Sequence, residues 1–393
     1  MEQTVQESVA APPRSEAAAA TPQAHRLALR FGGSGSEYFR IWIVNLLLIV
    51  VTIGLYYPFA KVRRLRYFYG NTTLGGDEFD FHGNPWKMLR GFVLMAALGG
   101  SYALASRSSP WAALVALLLM AAIWPALFRA SMQFRLSNIS WRGLRFQFHG
   151  STAGAYRALI PAQIALLLYL GGVAFFNDSL RDVAGPPAQR ELPMAAWVMF
   201  AGMGLLTVLA PWFWWLIKRY QHGHYGLGPL RTQFVGGAGA FYGVLLKAAG
   251  LTLLLMVPLI ALSVAAALTR SVIAATVSAM LCYLAALVLA GSFTTARLQN
   301  LVWARTRGRG LRFDSHVRVA ALAKLTAKNW LLIALTLGLY LPFARVARAK
   351  LLIESVTVST LHPPAALTAA LRGMGGDAAG DASADLLGFD IGL

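Results

Sequence analysis

The chain has 393 residues, 57% of them hydrophobic and only 13% charged, with 35 Lys and Arg against 16 Asp and Glu for a formal charge of +19. A soluble globular chain carries roughly 25% charged residues, so the composition excludes an ordinary water-soluble domain, and several apolar runs reach the ~20 residues that cross a bilayer. The cationic excess fits the cytoplasmic loops of a membrane protein rather than a nucleic-acid partner, and a lone cysteine, Cys282, excludes an intrachain disulfide and a cysteine zinc site.

Residues 1–25 are rich in Ala, Pro and Glu, lack the apolar stretch of a signal peptide, and read as a disordered tail. A membrane domain over 26–362 follows, with eight apolar segments. The first is Ile41–Phe59. The second and third are Gly91–Ala105 and Trp111–Phe128, split by RSSP. The fourth and fifth are Ala158–Phe176 and Ala195–Ile217, and the sixth and seventh are Phe241–Leu268 and Val272–Ser292. The eighth is Asn329–Ala344. Residues 363–393, rich in Ala, Gly and Asp, read as a flexible tail that ends in LLGFDIGL.

Segments two to seven form three hairpins with short loops, and four polar stretches share one design. They are RYFYGNTTLGGDEFDFHG (66–83), RLSNISWRGLRFQFHG (135–150), RYQHGHYGLGPLRTQF (219–234) and RLQNLVWARTRGRGLRFD (297–314). Each has a Gly turn followed by period-two alternation, which predicts a β-hairpin. The expected fold is therefore an all-α polytopic bundle of six to eight transmembrane helices, built from internal repeats, over short cytoplasmic β-hairpins that form a small β layer. Chained hairpins leave exposed edges unless they pair into one sheet or ring.

The first and eighth segments are copies of each other, 45–64 and 329–348. GLYYPFAK (54–61) returns as GLYLPFAR (338–345), Asn45 returns as Asn329 and Arg64 as Arg348, and YGNTTL (69–74) is echoed by the strand-like SVTVSTL (355–361). Both copies carry cations on both flanks, which conflicts with the positive-inside bias if they span. Eight spans is the starting expectation. The alternative is that both segments re-enter, bending at Gly54/Pro58 and Gly338/Pro342, which is tolerated where protein covers the irregular backbone.

No Asp or Glu lies inside an apolar segment, which argues against ion-coupled transport. Polar candidates within the membrane are Asn45, Asn329, Gln163 and Lys247; amides bond across helices and a Lys near a helix end snorkels. A direct Asn45–Asn329 contact would relate the two copies. Lys61, Arg63, Arg64 and Arg66 after the first segment, and Arg345, Arg348 and Lys350 after the eighth, are candidates for anionic lipid headgroups. His82, His149, His222, His224 and His316 recur near the hairpins without metal-ligand spacing and read as turn residues, so neither metal nor cofactor is expected. WFWW (212–215) beside Lys218 and Arg219 reads as an interfacial belt. The motifs of hydrolases, P-loop proteins and zincins are absent, which argues against an enzyme. The function expected is transport or permeation of a small or amphiphilic solute; the alternative is a scaffold whose basic β layer binds anionic lipid or a cytoplasmic partner.

The run YFRIWIVNLLLIVVTIGLYYPFAKVRRLRYFYGNTTLGGDEFDFHG (38–83), with GLYLPFARVARAK (338–350) and the terminal FDIGL, resembles the bacterial inner-membrane YjgN family, a group with a domain of unknown function. The resemblance implies an integral protein of a bacterial inner membrane. It implies no substrate or activity.

Overall fold

The computed structural model describes residues 25–181, 194–268 and 271–361, with 363, 365, 366, 368 and 369 beyond them. Both predicted tails therefore lie almost wholly outside the described residues. Five units, each strand–helix–helix–strand, follow one another. The first is β1 (His25–Phe31), α1 (Gly35–Val51), α2 (Tyr57–Gly70) and β2 (Thr72–Leu74). The second is β3 (Asp77–Phe81), α3 (Pro85–Ser108), α4 (Pro110–Ser137) and β4 (Ile139–Trp141). The third is β5 (Leu144–Phe148), α5 (Thr152–Arg181), α6 (Met194–His222) and β6 (Tyr225–Leu227). The fourth is β7 (Leu230–Phe234), α7 (Gly239–Leu268), α8 (Val272–Ala304) and β8 (Thr306–Gly308). The fifth is β9 (Leu311–Ser315), α9 (Val319–Leu335), α10 (Leu341–Glu354) and β10 (Val356–Thr360).

The ten strands close into an antiparallel barrel, β1-β10-β9-β8-β7-β6-β5-β4-β3-β2. This corrects the expected small layer of hairpins. The predicted Gly-turn hairpins exist: Thr73 faces Glu78, Ser140 faces Arg145, Gly226 faces Arg231 and Arg307 faces Arg312. What local turn signals could not supply is the pairing between them, because those partners flank a helical hairpin. Phe79 pairs with Trp141 across α3 and α4, and Phe146 with Leu227 across α5 and α6. The ring also needs β1, to which no strand was assigned from the sequence. There Leu27, Leu29 and Phe31 alternate with Ala28 and Arg30, and Leu27 pairs with Val358 to close the seam.

The units are quasi-equivalent down to single bonds. Just after its first strand, each unit donates a backbone N–H to the carbonyl that follows its second helix. The bonds are Gly32 to Asn71 (2.8 Å), His82 to Asn138 (2.8 Å), His149 to His224 (2.9 Å), Val235 to Arg305 (2.8 Å) and His316 to Ser355 (3.0 Å). The recurring F-H-G is explained by the same junction. The last Phe of the strand folds under the Gly two residues on, and a Cβ on Gly83 or Gly150 would come 2.4 or 2.5 Å from that ring. Between them, the His82 Nε2 meets Ser140 Oγ at 2.8 Å.

Six helices among the described residues are long and apolar enough to span a membrane: α3 to α8. The first and eighth apolar segments are each broken into two short helices. Because β1 and β2 are neighbours in the barrel, as are β9 and β10, α1 leaves the barrel and α2 returns to it, and α9 and α10 repeat the excursion. Eight spans is thus corrected to six plus two hairpins that enter and leave on one side. The reversal is built identically in both copies. Ile53 and Gly54 take φ of 51° and 88°, and Leu337 and Gly338 take 49° and 95°. Gly54 N–H bonds Ile49 O at 2.7 Å and Gly338 N–H bonds Ile333 O at 2.8 Å, the six-to-one closure of a Schellman turn. Thr52 and Thr336 then accept from the N–H of Tyr56 and Tyr340 at 3.0 Å each, which caps the returning helix. Pro58 and Pro342 sit in its first turn, where a missing N–H costs nothing.

Charge fixes how far these hairpins reach. Leaving aside Arg107, Asp178 and Arg181 at far loop ends, the charged residues of the described barrel-linked helices lie within about thirteen residues of the barrel strands, Lys247 and Lys328 being the farthest. Beyond that collar α7 keeps an uncharged run of about 31 Å, one bilayer core, whereas α1 keeps only about 16 Å. The tips of the short hairpins, with Ile53 at 94% and Leu337 at 95% exposure, are apolar and would end near mid-bilayer.

Two predictions follow from this geometry. In a Cys282→Ala background, Ser36→Cys and Ser359→Cys will react with an impermeant thiol reagent from the same side as Glu78→Cys in a barrel strand and from the opposite side to Ser108→Cys. Labelling of Ser36→Cys with Ser108→Cys would restore two terminal spans. Gly150→Ala, whose Cβ would meet Phe148 and the Tyr220 hydroxyl, will lower the thermal midpoint in detergent, by about 1–3 kcal/mol of overpacking. Gly171→Ala, which meets nothing, will not.

Candidate functional site

Barrel strands present alternate residues to the lumen. In β3, β5 and β9 the inward positions include Phe79, Phe146 and Phe313, while Glu78, Arg145 and Arg312 point out. The lumen is not filled. It holds a cavity of about 810 Å³ that runs from the turn end of the barrel into the base of the helix layer. Leu74, Leu227, Leu230 and Leu311 line its turn end, Phe79, Trp141, Phe146, Phe313 and Val358 its waist, and Leu65, Phe68, Leu352 and Ile353 its helical end. A ligand pocket usually measures roughly 300–1,000 Å³. A barrel of eight strands is just wide enough to hold one small ligand, so ten strands leave this space for a geometric reason.

Three arginines from the two short hairpins border the helical end: Arg64 on α2, and Arg345 and Arg348 on α10. Arg64 and Arg348 are the equivalent positions of the duplicated element. Among the described residues none of the three forms an ion pair or a side-chain hydrogen bond. Arg231 borders the cavity from β7, and no Asp or Glu is among the described residues that line it. Tyr225 lies beside the lumen on β6, and burial pushes its phenol up, so it stays a neutral donor through the physiological range.

A second cavity of about 520 Å³ lies in the helix layer above, between α6, α7, α8 and α10. It is more polar, with Lys218, His222, Thr294, Thr295 and Gln299 on its walls. Leu29, Tyr225, Trp303, Leu352 and Ile353 line both spaces, so the two adjoin. His222 is buried and faces Thr306 Oγ1 through Nδ1 at 3.1 Å.

The other predicted residues lie elsewhere. Lys61 is buried, Arg63, Arg66 and Lys350 are exposed, and none of the four borders the cavity; Arg66 donates to Gly83 O at 3.4 Å. Asn45 and Asn329 are both buried, but Asn329 donates to Ala344 O of its own hairpin at 3.4 Å, not to Asn45, and the Oδ1 of each amide is unpartnered among the described residues. Gln163 donates from α5 to Ala121 O on α4 at 3.0 Å. Lys247 is exposed on α7. Gly54 and Gly338 lie in the hairpin turns, Pro58 and Pro342 in the first turn of each returning helix, and none of the four lines the cavity. His222 and His224 lie near one another, yet no group of three metal-ligating side chains occurs among the described residues. The sequence reading missed the aromatic lumen wall. Its signal was present in the Phe of each L-R-F or E-F-D-F run, but which face would be enclosed is decided only by closure.

The family model for a bacterial protein of unknown function, DUF898, matches residues 26–386. The inner membrane protein YjgN of Salmonella typhimurium is 30% identical over 149 residues, 37% of this chain and 38% of that protein. YjgN of Escherichia coli O157:H7 is 27% identical over 158 residues, 38% of each, and YjgN of Escherichia coli strain K12 is 25% identical over 181 residues, 45% of this chain and 44% of that protein. The matched regions thus span about two-fifths of those relatives' length. No solved structure matches. With six apolar helices and a family match over nearly its whole length, the chain is an integral inner-membrane protein and belongs to the bacterial DUF898 family.

Proposed function

We propose that the protein is a carrier or conduit that passes an amphiphilic solute between the bilayer and the barrel lumen. The observation that carries this reading is the apolar, largely open lumen of about 810 Å³ beneath a membrane bundle. A purely structural scaffold would gain stability from filling such a space, since unfilled apolar volume forfeits packing. The adjoining polar cavity in the helix layer supports a route from lumen to membrane for a solute with both apolar and polar parts. The cationic excess on the barrel side of the helices supports a cytoplasmic barrel. The apolar span windows, which in α5 end at Val173 before Asp178, hold no carboxylate, and this supports movement without ion coupling.

Two outcomes test this. Leu29→Trp, placed where the two cavities meet, and Leu227→Trp, at the turn end, will obstruct the lumen and abolish solute binding and flux in proteoliposomes, with membrane insertion and thermal midpoint retained. Undiminished flux through both variants contradicts a luminal route. Collapse of the proton gradient with a protonophore will leave the wild-type rate unchanged; a proportional loss would place a coupling ion in the mechanism.

A further inference from the structure

The lumen is polarised. One end and the waist are walled mainly by Leu, Phe, Trp and Val, with Arg231 the one cation among the described residues there, and the helical end carries Arg64, Arg345 and Arg348 with no described acid to balance them. These side chains are held in place by helix returns, not by loops. Arg64 stands six residues before the end of α2, Arg348 six before the end of α10, and Arg345 a further three along. At 1.5 Å per residue, all three lie about 9–14 Å above the barrel, within the charge collar that marks the membrane interface. Guanidinium groups outside any ion pair, beside an apolar cavity, suit a carboxylate or phosphate, which they bind through paired N–H donors. An apolar shaft below them suits a hydrocarbon chain, and about 810 Å³ lies within the usual range for one small ligand.

From this we infer that the solute is a single-chain anionic amphiphile, its carboxylate or phosphate head on Arg64, Arg345 and Arg348 and its tail inside the barrel, directed away from the bilayer. This rests on the carrier reading above. It adds the sign of the head, the number of chains and the orientation. The duplication gains a purpose in consequence. Two half-depth hairpins, adjacent across the β1–β10 seam, bring equivalent arginines from α2 and α10 to one cavity mouth, which full-length spans are not needed to do. Phe343 packs on Phe39 at 5.7 Å between ring centres, and a Cβ on Gly35 would come 2.4 Å from the Phe343 ring, so α1 and α10 are pressed together.

The test is competition with a fluorescent fatty acid on the purified full-length protein. The competitors share one chain length: hexadecanoate, hexadecyl phosphate, hexadecanol and hexadecyltrimethylammonium, with dipalmitoyl phosphatidylglycerol as the two-chain anion. The two single-chain anions will compete at least about tenfold better than the alcohol, the scale of a charge-assisted hydrogen bond, and better than the cation and the two-chain lipid. Arg64→Gln with Arg348→Gln will remove most of that preference and leave hexadecanol binding in place. Arg63→Gln with Lys350→Gln, outside the cavity, will preserve it. Equal competition by alcohol and anions in the wild type overturns the anionic head and leaves the carrier reading standing. Equal competition by the two-chain lipid overturns the single chain. A larger loss from Arg231→Gln than from the Arg64/Arg348 pair overturns the orientation. No binding by any of the five overturns the carrier reading as well. The wild-type competitor series decides the head charge even if the arginine variants fail to fold.

Discussion

Ten short strands, some only three residues long, hold ten helices in register, and they can do so only because the ladder closes on itself. A strand of three residues has little stability alone, and an open edge exposes unpaired N–H and C=O groups. The bond between β1 and β10 removes both problems together, joining the start of the described chain to its end. Each helical hairpin is then suspended between two neighbouring strands of one ring. The five equivalent N–H to C=O bonds at the junctions are the local expression of that suspension.

Closure also decides what the helices can be. A hairpin that starts and ends on adjacent strands must return to the same side, so every apolar excursion is an even number of crossings or none. The long pairs cross twice. The short pairs, with an uncharged reach of about half a bilayer core, turn back on themselves. The turn residues confirm the design, with Ile53 and Leu337 accepting a backbone conformation that non-glycine residues rarely adopt. A cost of that kind, repeated identically at two positions, reflects a geometry that the surrounding hairpin enforces.

Much of this was legible in the sequence and the rest was not, for identifiable reasons. Apolar length and period gave the six spans, and Gly-turn chemistry gave the four tight β-hairpins. The repeat of GLYYPFAK as GLYLPFAR exposed the duplication, and cations on both flanks of each copy raised the re-entrant alternative, although eight spans was the starting expectation. What stayed hidden was long-range pairing. Phe79 and Trp141 are separated by an entire membrane hairpin, and β1 drew no strand assignment because its alternation is short. Enclosure of the lumen depends on those pairings, so the aromatic wall of the site was invisible while its arginines, Arg64, Arg345 and Arg348, were already named among seven basic candidates.

The seam between β1 and β10 is where the fold and the enclosed cavity can both be tested at once. Arg26 and Ser359 are register partners there, and directly opposed residues in an antiparallel pair have Cα atoms about 4.5–5.5 Å apart, within disulfide reach. Oxidation of an Arg26→Cys, Ser359→Cys protein in the Cys282→Ala background should link the two strands and, after proteolytic cleavage between them, keep the fragments together without reductant. Failure to link under conditions that join Gln233→Cys to Arg307→Cys, partners in β7 and β8, would mean that the barrel is open and that the lumen described here is not enclosed.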